Sequence, residues 1–177
     1  IKTGVNQGVP ITYYNLFASG APVVVAKTTA TTADDYLAQA RASAGIKGRE
    51  QTVIRLAEQS LKLRESAGGY FHRAYAKSDL GDYQGAIADF NKTIENNPKV
   101  VQAYYNRGIE KRKSGDNYGA ISDYTKAIEI NPRYADAYVN RGNAKELIGD
   151  MKGACADWRQ ASSLGDEESA KWVKEDC

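Results

Sequence analysis

The sequence predicts an all-α solenoid of antiparallel helical hairpins preceded by an extended N-terminal segment. Three observations predict it. A unit of 34 residues recurs along the chain, a Gly-Asp pair interrupts the middle of each copy, and the first 32 residues are rich in Gly, Pro and Thr with no acidic side chain.

The repeat is the strongest of these, because a fixed period of this length marks a stack of small supersecondary units. Tyr70, Tyr104 and Tyr138 recur at the shift, as do Arg73, Arg107 and Arg141. Gly81-Asp82, Gly115-Asp116 and Gly149-Asp150 follow, then Gly85-Ala86, Gly119-Ala120 and Gly153-Ala154. Asp89, Asp123 and Asp157 come next, each with an aromatic neighbour: Phe90, Tyr124 or Trp158. Pro98 and Pro132 close the first two copies, and Asp166 stands at that place in the third.

Each element has a physical task. The glycine tolerates the left-handed conformation that stops a helix, and the aspartate caps the helix that follows. Ala86, Ala120 and Ala154 are small where two helices approach, and the aromatic positions fill the space beside them. Asn97-Pro98 and Asn131-Pro132 end one hairpin and release the next. One hairpin has too little to bury alone, so stability comes from stacking neighbours.

This pattern of small, aromatic and proline positions resembles the tetratricopeptide repeat (TPR), with copies at 67–100, 101–134 and 135–168. The resemblance implies a right-handed superhelix. Arg73, Arg107 and Arg141 depart from it, standing where the family usually has an aliphatic residue. Each arginine lies as far before its turn glycine as Asp89, Asp123 or Asp157 lies after it. The spacing predicts an ion pair or hydrogen bond within every hairpin; the other arrangement is three solvated charges on an exposed edge.

The flanks are less regular, as the ends of solenoids are. Residues 33–66 read as a degenerate hairpin capping the stack, with apolar positions at Tyr36, Leu37, Ala40, Val53, Ile54, Ala57, Leu61 and Leu63 around a Gly45–Gly48 turn. Residues 169–177 read as a short capping helix with Trp172 in the register of Tyr138. Residues 1–32 contain Gly4, Gly8, Pro10, Gly20, Pro22 and six threonines; 9–17 and 22–26 favour extended backbone. This segment is expected to lie along the solenoid, in its own groove or a neighbour's, unless lattice packing alone orders it. Val24-Val25-Ala26 faintly resembles a signal-peptidase site, but Pro10, Asn15, Gly20 and Pro22 make a poor signal core.

Cys155 and Cys177 are equidistant from Asp166, inside an expected Leu164–Asp166 turn. Antiparallel helices joined there would bring the two level, as a disulfide needs. A bridge would favour a periplasmic or secreted setting; the alternative is two small apolar residues in a cytoplasmic protein.

Composition narrows the function classes. The 24 Lys and Arg against 22 Asp and Glu leave a formal net charge of +2, with no continuous basic track for nucleic acid. No apolar run reaches the length that spans a bilayer. One histidine and two cysteines without close ligand spacing imply no metal or cofactor. His72, with Ser78 and Asp79 on the same helix, forms no recognised catalytic motif, so no enzyme is expected.

What the resemblance implies instead is a concave wall built from the first helix of each hairpin. It places there Phe71, His72 and Tyr75; then Gln102, Tyr105, Asn106, Ile109, Arg112 and Lys113; then Asp136, Val139, Asn140, Asn143 and Glu146. Amides can satisfy the backbone of an extended peptide and aromatics give contact area at low entropic cost. Asn106 and Asn140 have a second reading, as structural hydrogen bonds between hairpins. Of the positions with which co-chaperone relatives clamp a C-terminal carboxylate, only Asn106 fits; Phe71, Tyr75, Asp136 and Asn140 do not. The expectation is a peptide-binding adaptor or assembly scaffold with a protein partner; the alternative is a self-associating structural protein whose groove is filled by residues 1–32.

Overall fold

A computed structural model describes residues 15–16, 22–23 and 32–177. Asn15–Leu16 (β1) and Pro22–Val23 (β2) pair antiparallel, with Asn15 opposite Val23. The expected docking of residues 1–32 against the solenoid otherwise lies outside the described residues.

Nine helices follow among the described residues. Ala33–Ser43 (α1) and Glu50–Leu63 (α2) form the first hairpin, Ala67–Asp79 (α3) and Tyr83–Asn96 (α4) the second. Val101–Lys113 (α5) pairs with Asn117–Ile130 (α6), Ala135–Leu147 (α7) with Met151–Ser163 (α8), and Glu167–Asp176 (α9) packs on α8. Every helix packs on the next in sequence. Additional contacts join α1 to α3, α3 to α5 and α5 to α7, and no comparable contact joins the second helices to one another. The first helices are therefore closer together, which puts them on the concave side.

The turns follow from the sequence. Gly81, Gly115 and Gly149 have φ of 80°, 88° and 82°, a region that side chains with a Cβ avoid. Asp82, Asp116 and Asp150 then accept hydrogen bonds from the amides of Gly85, Gly119 and Gly153, capping the second helices.

Between hairpin helices the packing is tight. Ala86, Ala120 and Ala154 are fully buried, as are Phe90 and Tyr124, with Trp158 at 2% exposure. The helix facing these aromatics carries Ala74, Gly108 and Gly142 in turn. A Cβ at Gly142 would meet Trp158 Nε1 at 2.6 Å, and one at Gly108 would meet Tyr124 Cε1 at 2.7 Å. The larger rings are admitted because the facing residue has no side chain.

The equidistant arginines and aspartates pair, and the solvated alternative is excluded. Arg107 donates Nε to Asp123 Oδ2 at 2.9 Å and Nη2 to Oδ1 at 2.5 Å. Arg73 does the same to Asp89 and Arg141 to Asp157. One turn on, Lys77, Lys111 and Lys145 each reach the same carboxylate at 2.8–2.9 Å. The remaining arginine nitrogen leaves the hairpin. Arg107 Nη1 donates to Asn91 at 2.6 Å and Arg141 Nη1 to Thr125 at 3.0 Å, both on the second helix of the preceding hairpin. Arg73 approaches Glu58 of α2 at 3.9 Å.

Cys155 and Cys177 are joined by a disulfide, with Cα atoms 5.7 Å apart. Closing a loop of that length contributes about 3 kcal/mol in the chain-entropy view. The staple holds α9 on α8, where Trp172 meets Trp158 at a ring-centroid distance of 5.5 Å.

Two predictions follow from this packing. Asp123→Ala leaves Arg107 and Lys111 without their anion and should lower unfolding free energy by about 3–5 kcal/mol in urea titration. Gly142→Ala gains about 1 kcal/mol of helix propensity. It collides with the buried indole, however, and overpacking of about 1–3 kcal/mol makes the variant less stable by thermal melt.

Candidate peptide-binding groove

The concave wall runs from a cleft between α1 and α3 to one enclosed by α5, α7 and α9. The first cleft is about 670 Å³ and is lined by Asp34, Leu37, Ala38, Arg41, Ala42, Gly68 and His72. The α1 residues here were not among the expected wall positions. Asp34 is paired outward with Arg64. Phe71 is largely committed to the core, its ring 5.8 Å from Phe90 and 5.7 Å from His72. Tyr75 is exposed and borders a small void beside Ile46.

The middle of the wall divides between structural and available groups. Tyr105 lies between Tyr124 at 5.9 Å and Tyr134 at 4.8 Å and accepts a hydrogen bond from Asn140 Nδ2 at 3.1 Å. Asn140 also donates to the Asp136 carbonyl, so the structural reading of Asn140 holds. Asn106 makes no side-chain hydrogen bond among the described residues; it is half-buried, as are Ile109 and Val139, and Gln102 is exposed. Burial raises the pKa of Tyr105, Tyr124 and Tyr134, the last to about 12, so all three phenols stay neutral at physiological pH.

Lys113 departs from its expected role. It bonds Glu110 at 3.0 Å and lies 5.1 Å over the Tyr83 ring, so it serves the seam between hairpins. Glu110 is 2% exposed and accepts a second hydrogen bond from Ser78 of the preceding hairpin at 2.8 Å. At the far end, Arg112, Asn143, Glu146, Leu147, Trp158 and Trp172 line a cleft of about 360 Å³. Arg112 lies beside the buried Tyr124 hydroxyl and offsets part of the upward pull that burial exerts on it.

Family models for the tetratricopeptide repeat match residues 67–100, and the TPR repeat model matches 110–149. These two stretches are tetratricopeptide repeats. Among curated proteins no sequence matches it. The fold of this protein is similar to that of MamA, at 26% identity over 78% of this chain and 81% of that one, with a TM-score of 0.72. It is also similar to YrrB, described as a TPR protein with an unusual peptide-binding site, at 19% identity, 81% and 74% coverage and a TM-score of 0.70. The first TPR domain of Spaghetti (RPAP3), solved bound to an HSP90 peptide, matches at 21% identity, 62% and 89% coverage and a TM-score of 0.59. Such a repeat array is a protein-interaction scaffold in general terms. No group of three or more potential metal ligands occurs among the described residues, and no described helix is long and apolar enough to cross a membrane.

His72 gives the groove a pH dependence. Its pKa is lowered by burial first and by Arg41 second. A lowered value favours neutral imidazole in the folded state, so the stabilising contribution is full above about pH 6.5 and fades as pH falls below it. Urea midpoints at pH 7.5 and 5.0 should therefore fall further for the wild type than for His72→Gln; equal losses would contradict the assignment.

Proposed function

We propose that this protein is an adaptor or assembly scaffold that holds an extended or short helical segment of a protein partner in its concave groove. The observation that carries the reading is the composition of the α5–α7 wall. Asn106 and Gln102 offer amides next to half-buried Ile109 and Val139, while Tyr105 and Asn140 hold the surface rigid behind them. A preorganised wall loses little entropy when a peptide binds, and amides can pair with its backbone. The relation to YrrB and to the RPAP3 domain supports the same reading. The bridge between Cys155 and Cys177 supports placing the protein in an oxidising compartment, periplasmic or extracellular.

The test is affinity capture of partners on the intact chain, repeated with Asn106→Arg and with the convex-side control Lys126→Glu. Loss of the same captured proteins with Asn106→Arg and their retention with Lys126→Glu is the expected result. An unchanged set with Asn106→Arg would remove the groove from the function.

A further inference from the structure

We propose that the cleft enclosed by α5, α7 and α9 is the anchoring subsite of the groove. Its ligand would be a single acidic side chain of an extended peptide, followed directly by an aromatic residue, and the disulfide maintains its outer wall. The inference rests on the groove reading and adds the chemistry of the ligand.

Arg112 differs from the arginines of the repeat. Arg73, Arg107 and Arg141 each hold a buried aspartate, whereas Arg112 has no ion-pair partner among the described residues: its neighbour is the neutral Tyr124 hydroxyl, and its buried Nε makes no hydrogen bond. A partly buried guanidinium facing an open cleft is complementary to a carboxylate, which its planar donors bind in a fixed geometry.

A second donor is set beside it. Trp158 Nε1 donates to Asn143 Oδ1 at 2.9 Å, which fixes the amide and leaves its NH₂ as the group with protons to offer. Guanidinium and amide therefore present donors to an acceptor. Glu146 apart, the rest of the lining is aromatic or aliphatic. Buried Trp158 backs half-buried Trp172 at a ring-centroid distance of 5.5 Å, and Leu147 is 60% exposed. This is a surface for a flat side chain.

Glu146 limits the ligand further. It lines the same cleft and is exposed, so a second negative charge on the ligand would meet repulsion there. One carboxylate next to one aromatic ring satisfies the cleft; an acidic run does not.

The outer wall depends on α9. Trp172 sits on this ten-residue helix, shorter than an isolated helix needs to persist in water. Its hold on α8 includes the packing around Trp158, the Cys155–Cys177 bridge and a hydrogen bond from Arg159 to the Cys177 carbonyl. Reduction of the bridge should loosen Trp172 and weaken the subsite while leaving the rest of the stack folded.

The probe is a peptide Gly-Ser-Gly-Glu-Phe-Gly-Ser-Gly carrying fluorescein on its N-terminal amine and an amidated C-terminus, read by anisotropy with the oxidised intact protein. The Glu-Phe peptide should bind at least tenfold tighter than its Gln-Phe counterpart, and Arg112→Gln should abolish that preference. Glu146→Gln should tighten binding, and reductant should weaken it at least fivefold while the far-ultraviolet spectrum loses no more than the contribution of α9. The chain has two tryptophans, both in this cleft, so both indole N–H signals in a nitrogen-15 spectrum should shift as the peptide is added to the wild type. That readout does not depend on a variant folding.

Equal binding of the Glu and Gln peptides, unmoved indole signals, or equally tight binding of a peptide with no charged side chain but a free C-terminal carboxylate would each overturn the proposal. If partner capture is still lost with Asn106→Arg in that case, the groove reading survives and only the subsite fails.

Discussion

One buried carboxylate in each hairpin organises this molecule. Asp89, Asp123 and Asp157 are 3–4% exposed, and an isolated charge at that depth would be strongly disfavoured. Each is instead enclosed by a bidentate arginine and a lysine from the facing helix. Replacing such a cluster with apolar side chains is often neutral for stability, so its value here lies in geometry. A planar guanidinium has one good orientation on a carboxylate. That fixes the rotation of one helix about the other, and the nitrogen left over from Arg107 and Arg141 carries the register to the preceding hairpin. The same arginines lie about 5.5 Å from the ring centres of Tyr70, Tyr104 and Tyr138, so the aromatic ladder and the charge ladder hold each other in place.

Core packing works to the same end from the other side of the hairpin. A ring in the second helix presses against an alanine or glycine in the first, and the fit of Trp158 over Gly142 leaves no room for a methyl group. Helix orientation is thus set twice, by dispersion contacts and by directional hydrogen bonds. A wall so constrained holds its side chains in position before a ligand arrives, and this links the packing to the proposed peptide binding.

Much of this was legible before any coordinates. Periodicity displayed the hairpins, the distances to each turn glycine paired Arg73 with Asp89 and its two counterparts, and symmetry about Asp166 brought Cys155 level with Cys177. Those features repeat or reflect, so one sequence contains its own comparison. Features confined to a single hairpin were harder to see. Glu110 occupies a position held by Ala76 and Ala144 in the neighbouring copies; its burial depends on Ser78 and Lys113 reaching it from two sides. Arg112 corresponds to Ser78 and Glu146, so no period marked it as the unpaired cation of the cleft. The groove-facing residues of α1 escaped because that hairpin lacks the small and aromatic positions that set the register elsewhere.

A double-mutant cycle combining Asp123→Asn with Asn91→Ala, measured by urea unfolding, tests whether the guanidinium joins adjacent hairpins. These two residues are on different hairpins, and Arg107 hydrogen-bonds both. The account predicts an interaction energy of at least about 0.5 kcal/mol, beyond the range in which independent sites add. Strictly additive losses would show that the hairpins keep their register without it.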